Sequence, residues 1–109
     1  MKTDPIERKK IPIYSGVIAY FPRALAEIAI VSRMGSGQHH PNQPIHWDKS
    51  KSSDHTDCLM RHLTDHARGD TIDTDGMLHL AKCAWRALAA LEIELEKLST
   101  LKEDAKTYE

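Results

Sequence analysis

Apolar residues in the second half of the chain recur at steps of four, three, four, three and four positions. They are Met77, Ala81, Ala84, Leu88, Leu91 and Leu95. Because an α-helix has about 3.6 residues per turn, this spacing places all six side chains on one side of a helix. We predict a helix that begins after Thr74 and ends near Lys97, about 35 Å long at ~1.5 Å per residue. The other predicted helices are too short to cover it, so we expect part of the stripe to pack on a second copy of the chain.

Two shorter helices are predicted earlier in the chain. Residues 21–34 are mostly apolar or small, and Gly35 and Gly37 follow as stop signals. Residues 54–66 have the pattern of an amphipathic helix with one polar and one apolar side. The side that we expect to be buried carries Thr56, Leu59, Met60 and Leu63.

These elements predict an all-α fold: a small bundle of three main helices, with a long functional loop between the first and second helices, completed by oligomerisation. Residues 13–20 are interpreted as a helical turn that leads into the first helix. With 109 residues the chain is expected to form a single domain. Residues 1–12 are expected to form a mobile arm, residues 13–98 the helical core and residues 99–109 a frayed tail.

Composition and charge narrow the possible environments and partners. The net charge of −1 gives no reason to expect binding to duplex nucleic acid or to an anionic membrane. No apolar run reaches membrane-spanning length, and the two cysteines lack a metal or redox spacing, which favours a reducing cytoplasm. The unusual feature is the presence of seven histidines, a residue type that often binds metal or phosphate.

The loop over residues 35–53 is longer than the ~12–15 residues usual for a connection without structure, which indicates a functional loop. Its histidines, together with Lys49 and Lys51, suit an anionic ligand, and Trp47 offers a surface for stacking. The alternative is a flexible polar loop held to the core by Trp47 and Ile45.

Three carboxylates are candidate metal ligands and catalytic residues. Asp54 and Asp57 lie one turn apart on the predicted second helix, and Glu27 lies among apolar residues of the first. Oxygen ligands without cysteine favour Mg²⁺ or Mn²⁺, which often bind substrate phosphates as well. Cationic side chains that could bind a polyphosphate are Lys49, Lys51, His79, Lys82 and Arg86.

Each carboxylate also has a simpler interpretation. Glu27 could reach solvent or pair with Arg23, Asp54 could be solvated, and Asp57 could pair with Arg61 one turn later. The sequence does not fit the metal ligands of those phosphohydrolases that draw histidines and aspartates from separate helices, because the four candidate ligands lie too close together in the chain. Those candidates are His62, Asp65, His66 and Asp70.

Several short motifs resemble one family in order and spacing. They are ALAEIA around Glu27, Gly35, Trp47, DCLMRHL with Asp57, Arg61 and His62, DTDG with Asp73, Asp75 and Gly76, and HLAKCAW with His79, Ala84 and Trp85. The chain resembles the dATP/dGTP diphosphohydrolase domain family common in phage genomes, relatives of the MazG-like all-α nucleotide pyrophosphohydrolases.

This resemblance implies an all-α homodimer or homotetramer, in the host cytoplasm if the chain is phage-encoded. It implies a hydrolase that uses Mg²⁺ to cleave a deoxynucleoside triphosphate, here a purine dNTP, into the monophosphate and pyrophosphate. Glu27 and Asp57 then match metal-binding carboxylates, and Arg61, His62 and His79 match a polar set that we place, with Asp75, among substrate-binding residues.

The sequence departs from the MazG-like pattern of ExxE followed by ExxD, because Ala24 or Ile30 stands where a second acid of the first helix belongs. Fewer metals, an added acid from Asp73 or Asp75, or binding without catalysis would each explain this. The last corresponds to a nucleotide-sequestering protein, for example one that counters host defence. A structural helical oligomerisation module is a further alternative.

Overall fold

A computed structural model describes the backbone of residues 4–107 and the side chains of residues 4–102. These residues form four α-helices: α1 (Pro5–Lys9), α2 (Pro22–His39), α3 (His55–Ala67) and α4 (His79–Thr107). A π-helical turn (Tyr14–Ile18) and a 3₁₀ turn (Lys49–Lys51) lie between them, and the described residues contain only an isolated Ile72–Leu78 bridge and no strand. The predicted all-α class is therefore confirmed. The described helices number four, because Asp4 caps a short helix within the segment predicted to be an arm.

The ends of two helices differ from the prediction. Helix α2 continues through Gly35 and Gly37, because neither glycine has the positive φ that ends a helix, and it stops at His39, shortly before Pro41. Helix α4 begins at His79 rather than after Thr74, because the preceding residues form a turn closed by the Ile72–Leu78 bridge. It continues to Thr107, beyond the predicted end at Lys97.

The predicted buried side of α3 was wrong. Met60 and Leu63 are 52% and 40% exposed, whereas the buried residues of α3 are His55, Cys58 and His62. This face packs on the side of α4 that carries His79 and Cys83, and polar atoms on the two helices bind one another there. Helix α2 also packs on α4, so α4 is the central element of the fold.

One chain alone is unusually open. Its radius of gyration is 16.9 Å, whereas a compact chain of this length has about 13 Å. Among residues 4–102, the buried apolar side chains are few and mostly small: Cys58, Met77, Ala81, Cys83 and Ala89. In the predicted α4 stripe, Leu88, Leu91 and Leu95 are at least half exposed. The described chain thus leaves a large part of its apolar surface uncovered.

Within residues 4–107, no single helix has both the length and the apolar character needed to cross a membrane. The segments Pro5–Ile18 and Pro22–His39 are long and apolar enough only when they are taken together, and the chain bends by 89° between them.

Candidate functional site

A pocket of about 350 Å³ lies between the end of α2, the following loop, and the adjoining parts of α3 and α4. Four of its lining residues carry a full positive charge: Lys51, Arg61, Lys82 and Arg86. They come from the loop, from α3 and from α4. Asp48, Asp73 and Asp75 also line the pocket, and the last two bind Lys82. The other three cations suit an anionic ligand.

One wall of the pocket is aromatic. The rings of Trp47 and Trp85 pack edge to face with centroids 5.6 Å apart, and His55 lies within 6.4 Å of both. Trp47 therefore fixes the loop against α4, as in the alternative interpretation of the loop, while it also lines the pocket. The guanidinium of Arg86 lies 5.6 Å from the Trp85 ring centroid, within the range of a cation–π contact.

Arg86 is held in place by two hydrogen bonds. Its Nη1 donates to Ser52 Oγ at 3.3 Å and to His55 Nδ1 at 3.0 Å. Because an arginine can only donate, His55 Nδ1 accepts and the ring proton lies on Nε2, a buried atom without a partner among the described residues. Burial, and then the charge of Arg86, lowers the pKa of His55, which is consistent with this neutral ring.

Lys82 is bound by the acidic turn that precedes α4. Its Nζ lies 2.6 Å from Asp73 Oδ2 and 2.6 Å from Asp75 Oδ2. The positive φ of Gly76 and a hydrogen bond from Met77 N to Asp75 Oδ1 shape this turn. The Lys82 hydrogen bond, followed by one from Thr74 N, lowers the pKa of Asp73 to about 2, and the Lys82 bond likewise lowers the pKa of Asp75. Burial alone would lower the pKa of Lys82, but the two carboxylates raise it.

Replacing Lys82 by methionine should destabilise the protein at neutral pH by about 1–3 kcal/mol, the range for partly buried charged hydrogen bonds. The pKa of Asp73 is lowered on folding, so its contribution is complete above the usual value of 3.8 and disappears as the pH falls toward about 2. The difference in unfolding free energy between the wild type and Lys82→Met should therefore be constant from pH 5 to 8 and shrink below pH ~4. Urea unfolding measured across this pH range tests the expectation.

Lys49→Met provides the matched control. Lys49 pairs with Glu96, but both side chains are about half exposed, so its removal should leave stability nearly unchanged at every pH. An equal loss in both variants, or a Lys82→Met effect that persists at pH 2, would contradict the role given to Asp73 and Asp75.

Behind the pocket, α3 and α4 meet through two buried histidines. His62 Nδ1 lies 2.9 Å from His79 Nδ1, and Asp73 Oδ2 lies 3.9 Å from His62 Nδ1. Burial lowers the pKa of His62, and the charges of Lys82 and Arg61 lower it further. One ligand atom of Asp65, one turn after His62, lies within 4.8 Å of one from each histidine.

The structure brings together most of the predicted substrate-binding residues. Those that line the pocket are Trp47, Lys51, Arg61, His62, Asp75, Lys82 and Arg86. Two others do not line it: Lys49 is engaged by Glu96, and His79 is buried beneath His62.

The predicted carboxylate metal ligands are not brought together within one chain. Among the described side chains, Glu27, Asp54 and Asp57 do not form a group close enough to share an ion. Helices α2 and α3 both pack on α4 rather than mainly on each other, which accounts for this. Asp54 Oδ2 accepts a hydrogen bond from Cys58 Sγ, Asp57 is exposed, and Glu27 is half-buried without an ion-pair partner among the described residues. Their predicted roles stay predictions.

Asp65 and Trp85 have no binding or catalytic role in the prediction from sequence, and Asp73 is predicted only as a supplementary acid. Asp65 was rejected together with a set that included His66 and Asp70, whereas the structure pairs it with His62 and His79. The available signal was the turn: DTDG marks a chain reversal, and a reversal carries His79 back over α3.

Comparisons with known proteins give one match. No curated protein and no solved structure matches the chain. The model of a family described as dATP/dGTP diphosphohydrolase, N-terminal, matches residues 5–104 of the 109. The predicted family resemblance is therefore confirmed: the chain belongs to the dATP/dGTP diphosphohydrolase N-terminal family.

Proposed function

We propose that the chain binds a purine deoxynucleoside triphosphate and, with Mg²⁺ or Mn²⁺, hydrolyses it to the monophosphate and pyrophosphate. The observation that supports this most directly is the cationic pocket with its aromatic wall, found in a chain of this family. The choice of a purine nucleotide rests on the family description, and the binding mode is inferred from the residues of the pocket.

The triphosphate is assigned to the cations that have no carboxylate partner. Among the described residues, Lys51, Arg61 and Arg86 form no ion pair within 4.0 Å of a carboxylate, so their charge is available to a ligand. Arginine binds phosphate oxygens through two parallel hydrogen bonds. The base is assigned to the wall of Trp47 and Trp85, where an aromatic face stabilises a purine by stacking.

The metal has a second candidate set besides Glu27, Asp54 and Asp57. Asp73 and Asp75 already direct one oxygen each at a single cation, the Lys82 ammonium, beside the pocket. These two carboxylates fit the usual mode of Mg²⁺, which takes one or two protein carboxylates and completes its shell with phosphates and water. When bound, the ion would orient phosphate oxygens and lower the pKa of an attacking water. Lys82, released from the acids, would then be free to contact phosphate.

We also propose that a second copy of the chain completes the fold as a homodimer, or as a homotetramer built from such dimers. The leucines of the second half of α4 continue the spacing of a helix-packing stripe while remaining about half exposed. The large radius of gyration of one chain supports the same assembly.

The hydrolysis proposal is tested by incubating each dNTP with the protein and Mg²⁺ or Mn²⁺ and measuring pyrophosphate. We expect multiple turnovers per chain on dATP or dGTP. Losing one carboxylate of the metal set should slow turnover at least ~10-fold, since the ion contributes several kcal/mol. Asp57→Asn and Asp73→Asn separate the two candidate sets, and Asp70→Asn, an exposed acid outside both, is the control.

Binding without hydrolysis is the second candidate function. The separation of Glu27, Asp54 and Asp57, with Asp73 and Asp75 already paired to Lys82, favours a nucleotide-sequestering protein. A nucleotide that raises the melting temperature without metal and without releasing pyrophosphate would select this function. If no nucleotide changes the melting temperature, both functions are wrong and a structural oligomerisation module remains.

A further inference from the structure

We propose that His62, Asp65 and His79 form a binding site for a divalent first-row transition-metal ion. Each offers one ligand atom, and these atoms lie within 4.8 Å of one another; no other trio of such residues does so among the described side chains. The trio is distinct from the carboxylates assigned to Mg²⁺ above but adjoins one of them, since Asp73 Oδ2 lies 3.9 Å from His62 Nδ1. The proposal holds whether or not the protein hydrolyses nucleotides.

The fold fixes these side chains before any ion arrives. His79 is the first residue of α4 and is only 2% exposed, and its backbone N–H donates to Thr71 O at 3.1 Å. The Ile72–Leu78 bridge closes the turn that carries His79 back to α3. His62 is 7% exposed on α3, and Asp65 follows it at i+3 on the same helix, half-buried. Ligands held in this way lose little freedom on binding an ion.

Metal binding would replace the hydrogen bond between the two rings. A hydrogen bond between His62 Nδ1 and His79 Nδ1, at 2.9 Å, requires a proton on one nitrogen and a lone pair on the other. For both Nδ1 atoms to bind an ion, the proton of the donor ring moves to Nε2 of the same ring, so both imidazoles stay neutral and no proton is lost. Two neutral imidazoles and one carboxylate then surround the divalent ion.

The donor set indicates the class of ion. Imidazole nitrogens suit first-row transition metals such as Fe²⁺, Ni²⁺, Cu²⁺ and Zn²⁺, whereas Mg²⁺ and Ca²⁺ prefer oxygen ligands alone. Two histidines with one carboxylate leave further coordination positions for water or a ligand. His62 also lines the pocket, which gives the ion a route of entry.

The competing explanation is a histidine pair that only joins α3 to α4. That pair needs the hydrogen bond between His62 and His79 but has no use for Asp65. The two explanations therefore differ in what Asp65→Asn does, because asparagine keeps the shape of the side chain and removes its charge.

The test is a Co²⁺ titration of the full chain, freed of metal by a chelator and of any histidine tag, followed by visible absorption and calorimetry. We expect one Co²⁺ ion per chain, with a change in visible absorption as the imidazole nitrogens bind it. Asp65→Asn and His62→Gln should each weaken binding at least ~10-fold, because even the partners that orient metal ligands contribute ~10–100-fold. In His62→Gln the amide can still hydrogen-bond His79, which guards against loss of the fold.

Two histidine variants serve as controls. His66→Gln removes a half-buried imidazole of α3 outside the trio, and His40→Gln removes one from the pocket, where its ring lies 3.8 Å from that of His46. Both should bind Co²⁺ as the wild type does. The proposal is overturned if the wild type does not bind Co²⁺, if folded Asp65→Asn and His62→Gln bind it normally, or if His40→Gln alone abolishes binding.

Discussion

Replacing Leu91 and Leu95 by lysine is expected to convert the proposed homodimer into a monomer. Helix α4 has 29 residues and is about 43 Å long, whereas the 13 residues of α3 cover only about 20 Å of it. Leu91 and Leu95 lie beyond the part of α4 that α3 covers and are 55% and 51% exposed. Both belong to the stripe predicted from the sequence, so a second copy is the expected cover.

The size of the effect follows from the apolar area that the interface removes from water. Burying the exposed half of a leucine contributes about 1 kcal/mol. A symmetric dimer contains each substitution twice, so four such leucines contribute about 4 kcal/mol, or roughly a 1,000-fold change in dissociation constant. Lysines facing one another add repulsion. Sedimentation velocity and light scattering over a range of concentrations measure this change.

Thr100→Lys is the control for added charge, because Thr100 lies on α4 but outside the stripe of Leu91 and Leu95. It should assemble as the wild type does. A wild type that is monomeric at micromolar concentration, or a double variant with unchanged assembly, would show that the stripe is not an interface.

The positions of the long helices were predictable from sequence, whereas the packing of their faces was not. Periodicity is local, and it located α3 and most of α4. It assigned Met60 and Leu63 to the interior because they are apolar, but the interior between α3 and α4 is built from His55, Cys58 and His62. If a second copy covers the exposed leucines, these apolar residues pack against another chain rather than within their own. A single sequence does not distinguish these two kinds of contact.

The candidate site shows the same division between local and long-range information. Residue chemistry indicated the cations and Trp47, and the structure collects most of them at one pocket. Distances between helices are not encoded in spacing along one helix, so Glu27 and Asp57 were assigned to one ion although their helices pack on α4 instead. The pairing of Lys82 with Asp73 depends on the reversal at Gly76, which brings the acidic turn back to α4.

Arg86→Met is expected to weaken nucleotide binding by roughly 100-fold, since truncating one partner of a desolvated charged contact costs about 2–5 kcal/mol. Arg86 lines the pocket without a carboxylate partner among the described residues, and its bonds to Ser52 and His55 hold it there. Methionine keeps the apolar bulk against Trp85 but removes the charge and both hydrogen bonds. Because Trp47 and Trp85 are the two tryptophans of the chain, quenching of tryptophan fluorescence by a non-hydrolysable dGTP analogue reports the affinity.

The loss in Arg86→Met has to be separated from a loss of stability, because methionine also leaves the buried His55 ring without its partner. Affinity is therefore measured well below the melting temperature of the variant. Arg86→Lys retains the charge but not the forked geometry, so its affinity should fall between those of the wild type and Arg86→Met. Lys10→Met removes an exposed cation that is paired with Glu7 and does not line the pocket, and it should bind as the wild type does. Equal losses in Lys10→Met and Arg86→Met would mean that general charge, rather than this pocket, attracts the nucleotide.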